Sequence, residues 1–170
     1  YIKNSIAQIA PHFTMKRQLD DYYDRFYNKL SEHFHILAAD NFAKAKMMAD
    51  WKANVRSRWD AIEIKSIEAG NGLNATVEAG KEYEVTVVVD EKGLDDAIGI
   101  ESVIIRHEGG QDHIYEVIPL LPVSKNGNLY TFKATSGIFN AGSFKQAFRM
   151  YPKNAELPHR QDFCYVKWLD

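Results

Sequence analysis

Apolar residues repeat with a helical period up to Asp60 and with a period of two beyond it. This change divides the chain into a helical segment, residues 1–60, and a β-rich domain, residues 61–170. In the first part Ile2, Ile6 and Ile9 fall at i, i+4 and i+7, on one helix face. Pro11 predicts the end of that helix, because proline pushes the preceding residue out of the α region. Thr14 is then placed to cap a second helix, whose apolar face runs through Leu19, Tyr22, Tyr23, Phe26, Tyr27, Leu30, Phe34 and Leu37. Asp40 reads as the cap of a third, on which Phe42, Ala45, Met48, Ala49, Lys52, Val55 and Trp59 share one broad side.

Beyond residue 60 the pattern is that of strands. Tyr83, Val85, Val87 and Val89 alternate until Asp90-Glu91-Lys92-Gly93 breaks the run. Ser102 to His107 leads to Gly109-Gly110, and Ile114 to Ile118 follows. Asn126-Gly127 is a hairpin signal, since a type I′ turn needs φ > 0 at both central residues. Tyr130, Phe132 and Ala134 alternate, as do Phe144, Phe148 and Met150, and Cys164, Val166 and Trp168 close the chain on one face. Seven or eight short strands predict an antiparallel immunoglobulin-like β-sandwich, with a small barrel as the alternative. The fold class is therefore α+β: two to three helices, then the sandwich.

Composition narrows the function classes. The formal net charge of −2 gives no reason to expect nucleic acid or an anionic membrane as partner. No apolar run reaches the roughly 20 residues of a membrane span. Cys164 is the single cysteine, so no internal disulfide forms, in keeping with a reducing compartment. The opening Tyr1 and the amphipathic residues after it do not form a secretion signal. A chain that opens within a pattern reads as cut from something longer, or else as a mature form after loss of a leader.

A search for chemistry finds no active site: no catalytic, cofactor-binding or metal-binding residue is assigned. His33 and His35 stand two apart on a helix and point to different sides. His107 and His113 flank a turn and could face each other, but no third ligand accompanies them. Asp20, Asp21 and Asp24 suit the start of a helix, and Asp95-Asp96 reads as turn chemistry. Cys164, in a strand-like run, is expected to be buried and inert. Gly70-x-Gly72 lacks the rest of a dinucleotide fingerprint, and neither a G-x-S-x-G elbow nor a P-loop occurs. The rings of Tyr130, Phe132, Phe144, Phe148, Tyr151, Tyr165 and Trp168 could line a sugar platform, but their alternation favours core packing.

Residues 9–27, reading Ile9-Ala10-Pro11-His12-Phe13-Thr14-Met15-Lys16-Arg17-Gln18-Leu19-Asp20-Asp21-Tyr22-Tyr23 and on to Tyr27, resemble the run that ends the catalytic fold of bacterial α-glucan phosphorylases. Phe42-Ala43-Lys44-Ala45-Lys46, Ala49-Asp50-Trp51-Lys52-Ala53-Asn54-Val55 and Trp59 resemble that family's helix before its terminal β-region. Gly93-Leu94-Asp95-Asp96 is similar to a Gly-Leu-x-Pro-x-Asp loop. Asn128-Leu129-Tyr130 to Phe132, Ala141-Gly142-Ser143-Phe144, Arg149-Met150-Tyr151-Pro152 and Trp168 are similar to the closing hairpins. The chain departs from the pattern in lacking the loop proline and in having Arg17-Gln18 where Arg-Met is usual.

The resemblance implies a C-terminal fragment of a pyridoxal-phosphate enzyme that moves glucosyl units from α-1,4-glucan to phosphate, giving glucose 1-phosphate. The cofactor lysine of such an enzyme belongs to a motif upstream of this segment, so the fragment is expected to be non-catalytic and to hold no cofactor. Its implied partners are the remainder of the parent chain and, for the whole enzyme, α-1,4-glucan, in the cytoplasm. A homodimer through residues 1–37 of the helical segment is a further expectation. Two other readings stay open: a carbohydrate-binding β-sandwich that anchors glucan, and an unrelated immunoglobulin-like interaction domain.

Overall fold

The computed structural model describes residues 1–70, 80–137, 140 and 143–169. Gly72, Ala141 and Gly142, on which parts of the sequence reading rest, lie outside them. The chain forms two compact units, Tyr1–Trp51 and Lys52–Asp170.

The first unit is helical almost throughout. A short helix α1 (Ile2–Asn4) continues through wider and tighter turns to Phe13, so the turn holding Pro11 prolongs the helical path. The break comes at Thr14, whose backbone is extended and whose hydroxyl accepts the Arg17 amide at 3.2 Å, the expected cap. Helix α2 (Met15–Tyr22) passes through one wide turn into α3 (Asn28–Arg58). The span of α3 includes Asp40, but its helical backbone is interrupted there, at the residue expected to begin a third helix. Ala39 is extended there, and Asp40, Asn41 and Phe42 take left-handed φ of 49°, 55° and 61°. A side-chain cap can mark a helix start in sequence, but only the backbone shows whether the chain bends or stops. Lys16–Asp20 and Arg17–Asp21 pair at i, i+4, at 2.6 and 2.7 Å. Tyr22, Tyr23, Phe26, Tyr27 and Phe34 remain exposed.

The second unit is an antiparallel sheet of seven strands: β1 (Glu63–Ala69), β2 (Glu82–Asp90), β3 (Ile98–Glu108), β4 (Gln111–Asn126), β5 (Leu129–Gly137), β6 (Phe144–Pro152) and β7 (Lys167–Leu169). Their order is β1-β2-β5-β4-β3-β6-β7. The immunoglobulin-like arrangement of two separate sheets is not what this order gives. The cause is β4, a 16-residue strand whose first part pairs with β3 and whose second part pairs with β5. The strand runs through both Pro119 and Pro122. Each part of β4 has a ladder partner on one side, so a proline nitrogen facing the open side removes no ladder bond.

The sheet folds over on itself, close to a barrel. Tyr83 Oη on β2 donates to Gln146 Oε1 on β6 at 3.1 Å, and Gln146 Nε2 donates to Ser102 Oγ on β3 at 2.8 Å. The core follows the alternation: Val85, Val87 and Val89 meet Ile98, Ile100, Ile104, Phe132, Phe148 and Met150, all fully or nearly fully buried. The end of α3 belongs to this core as well. Val55 and Trp59 are buried, and the Trp59 ring meets Tyr165 at 5.6 Å. The hairpin after Asn126 is present, but its two-residue loop is Gly127-Asn128, because Asn126 pairs with Leu129. Left-handed φ occurs at Gly127 alone, which fits a type II′ turn.

Candidate functional site

Two buried carboxylates organise the polar part of the second unit, and both lie within strand patterns. Glu101 interrupts the apolar run of β3 and is 3% exposed. Its neighbour across the β3–β6 ladder is Arg149, whose Nε donates to Glu101 Oε1. Arg160, from the turn before β7, donates through Nη1 to Oε2 at 3.0 Å and through Nη2 to Oε1 at 3.2 Å. The Arg160 guanidinium lies 3.6 Å from the centre of the Tyr151 ring, and Arg149 lies 5.6 Å from that of Trp168. Both carboxylate oxygens are thus engaged. The cluster has no free base and no nucleophile, and it acts as a clamp holding β3, β6 and the C-terminal turn together.

Glu91 continues the phase of Val85, Val87 and Val89 past the end of β2 and is 0% exposed. Its Oε2 accepts the Asp96 amide at 3.1 Å, while among the described residues Oε1 has no partner. Burial, with Asp96 and Asp95 nearby, pushes its carboxyl up to about 7, against a smaller opposing effect of the Asp96 amide. Above it the loop takes left-handed backbone at Lys92, Asp95 and Asp96. Asp95 receives Tyr130 Oη at 2.9 Å and pairs with Lys125, and these contacts hold its carboxyl below the usual range. Arg58, at the end of α3, donates to Gly93 O at 2.9 Å.

The other residues singled out in the sequence are dispersed. His107 sits opposite Asp112, with Nδ1 2.6 Å from Oδ1, and His113 sits opposite Arg106, so the two histidines do not face each other. Cys164 is exposed rather than buried: it follows the turn Arg160–Phe163 and precedes β7, with Sγ 2.6 Å from Gln161 O. Tyr130, Phe132 and Phe148 are core residues as their alternation implies, but Trp168 is 50% exposed on the edge strand. No group of three or more metal-ligating side chains occurs among the described residues. No described lysine is buried, so these residues do not fit a pyridoxal-type cofactor, which needs a lysine sheltered from water. No helix among the described residues is long and apolar enough to cross a membrane. Sequence reading missed Glu91 and Glu101. The available signal was their position, in phase with buried strand residues or inside an apolar run.

Fold and clusters together define a β-domain following a helical segment, with its two buried carboxylates engaged by neighbouring strands and loops. Residues 59–170 match the family model of the glycogen phosphorylase C-terminal domain, and the chain belongs to that family. It is 30% identical over 174 residues to a maltodextrin phosphorylase of Thermococcus litoralis, an alignment covering 98% of this chain and 20% of that protein. It is 22% identical over 160 residues to a glycogen phosphorylase of Mycobacterium tuberculosis, covering 92% of this chain and 18% of that protein. The chain therefore spans about a fifth of the length of the curated relatives it matches.

Proposed function

We propose that the chain is the non-catalytic C-terminal part of an α-glucan phosphorylase. Residues 1–60 complete the catalytic glycosyltransferase fold, and residues 61–170 form a terminal domain that braces it. The parent enzyme transfers glucosyl units from α-1,4-glucan to phosphate in the cytoplasm, with pyridoxal phosphate held by residues outside this segment. The observation carrying this reading is the family match over residues 59–170, in a chain whose relatives are phosphorylases about five times longer. The exposed rings of Tyr22, Tyr23, Phe26, Tyr27 and Phe34 support it, because so broad an apolar helix face calls for a partner surface. That partner is the rest of the parent chain.

The test compares the whole enzyme with the enzyme truncated before Tyr1 and with the 170-residue chain alone. Glucose 1-phosphate is assayed from maltodextrin, phosphate and pyridoxal phosphate. The whole enzyme turns over, the truncated one loses thermal stability and activity, and the chain alone is inactive. Turnover that copurifies with the chain alone overturns the reading.

A further inference from the structure

β4 and β5 form a fork. They pair from Leu121 opposite Lys133 to Asn126 opposite Leu129. Beyond Leu121 they part: β4 goes to β3, with Leu120 opposite Ile100, while residues 134–137 of β5 stay paired with β2. The parting leaves an open cleft of about 620 Å³, lined among others by Glu82, Tyr115, Glu116, Thr135 and Ser136. That volume falls within the range of small-ligand sites, about 300–1,000 Å³.

The lining is preorganised. The Tyr115 ring is 37% exposed and meets Phe144 edge-on at 5.1 Å, and its Oη accepts Asn140 Nδ2 at 2.6 Å. Below, buried Ser136 donates to Tyr83 Oη at 3.4 Å, joining the interior chain of Tyr83, Gln146 and Ser102. The cleft thus presents a fixed aromatic face, two carboxylates and the Thr135 hydroxyl, and no cation is among its described lining residues. Carboxylates repel an anionic ligand and accept strongly from hydroxyl donors. A fixed ring offers an apolar face at little entropic cost. A neutral polyol with flat C–H faces matches both. An extended peptide is the weaker candidate, since the free β5 edge, residues 134–137, is shorter than the about five to six residues usual for a strand.

We propose that this fork binds a short α-glucan segment, with a glucosyl unit on the Tyr115 ring and its hydroxyls donating to Glu82 and Glu116. The choice of α-glucan among neutral polyols rests on the phosphorylase reading above; the class of ligand rests on the cleft itself.

The test titrates the intact 170-residue chain with maltoheptaose, followed by nuclear magnetic resonance. Saturable shifts are expected at residues 82, 115, 116, 135 and 136, with a Kd on the order of 1 mM. Tyr115→Ala weakens binding at least about ten-fold, about 1.4 kcal/mol, and Trp168→Ala leaves it unchanged. Should Tyr115→Ala lose its near-ultraviolet circular dichroism, the exposed pair Glu82→Gln and Glu116→Gln carries the test, with binding expected to fall several-fold. Absence of saturable shifts overturns the proposal. So does binding lost on Trp168→Ala but kept in the cleft variants, or tighter binding of a β-prone decapeptide at the same residues. None of these outcomes touches the phosphorylase reading, which is read from activity of the whole enzyme.

Discussion

Gly99 and Tyr151 face each other across the β3–β6 ladder, and the tyrosine ring closes over the glycine: a Cβ added at Gly99 would lie 2.6 Å from Tyr151 Cζ. The constraint is one of space, since Gly99 does not have left-handed φ. The same ring carries the Arg160 guanidinium, so the ring cannot shift without disturbing that stack. Gly99→Ala is expected to destabilise the domain by about 1–3 kcal/mol, the usual cost of overpacking. Chemical denaturation checks this, and an unchanged midpoint would show that the ring moves aside freely.

Glu101 is the acceptor for both Arg149 and Arg160. Removing a buried partner of an ion cluster costs about 3–5 kcal/mol when the charges left behind stay dry. Here Arg149 and Arg160 both keep contact with water, which lowers the figure. Glu101→Gln is expected to cost about 2 kcal/mol and to loosen the C-terminal turn, seen as faster amide exchange at residues 160–169. Loss of stability without a change in exchange there would argue against the clamp.

Glu91 makes stability depend on pH near neutrality. Its folded carboxyl titrates at about 7 against an ordinary value of 4.5, so the folded state holds the proton more tightly. Stability is fully present below about 4.5, falls as pH rises towards 7 and levels off above it. The amplitude is on the order of 3 kcal/mol. Glu91→Gln, which keeps an acceptor for the Asp96 amide, should flatten this slope and be more stable than wild type at pH 8. Thermal melts between pH 4.5 and 8 decide it.

The sheet unit should fold from Lys52. A chain of residues 52–170 keeps Val55 and Trp59, both buried, whereas one of residues 61–170 loses them. The shorter chain is expected to be less stable by about 3–5 kcal/mol, chiefly through Trp59. Equal denaturation midpoints would show that the end of α3 contributes nothing to the core.

The aromatic face of the helical unit should drive self-association when the chain is isolated. Tyr22 lies tilted against Phe26 at 5.9 Å and Tyr23 meets Tyr27 edge-on at 5.4 Å, yet all four rings stay open to water. A two-fold dimer is the simplest closed way to cover such a face. Light scattering should give a dimer for wild type and a monomer for Phe26→Asp. A wild-type monomer across the accessible concentration range would leave the face to the parent chain alone.

Much of the architecture was legible because it is local. The Thr14 cap, the tyrosine-rich helix face, the alternation of Val85, Val87 and Val89 and the presence of a hairpin after Asn126, though not its turn type, depend on residues a few positions apart, and so does the resemblance to phosphorylases. What the sequence could not decide is which strand edges meet. The run Ile114 to Ile118 and the residues leading to the hairpin at Asn126 read separately. They form one strand because β3 and β5 each take a different part of its length. That choice also opens the fork beside Tyr115 and prevents two separate sheets. The buried charges have the same origin. Glu101 meets an arginine 59 residues away, and Asp95, in the loop above Glu91, is held by Lys125 and Tyr130, 30 and 35 residues away. Periodicity assigns a residue to a face. Whether that face is dry, and what compensates a charge placed there, is settled only when distant strands pack over it.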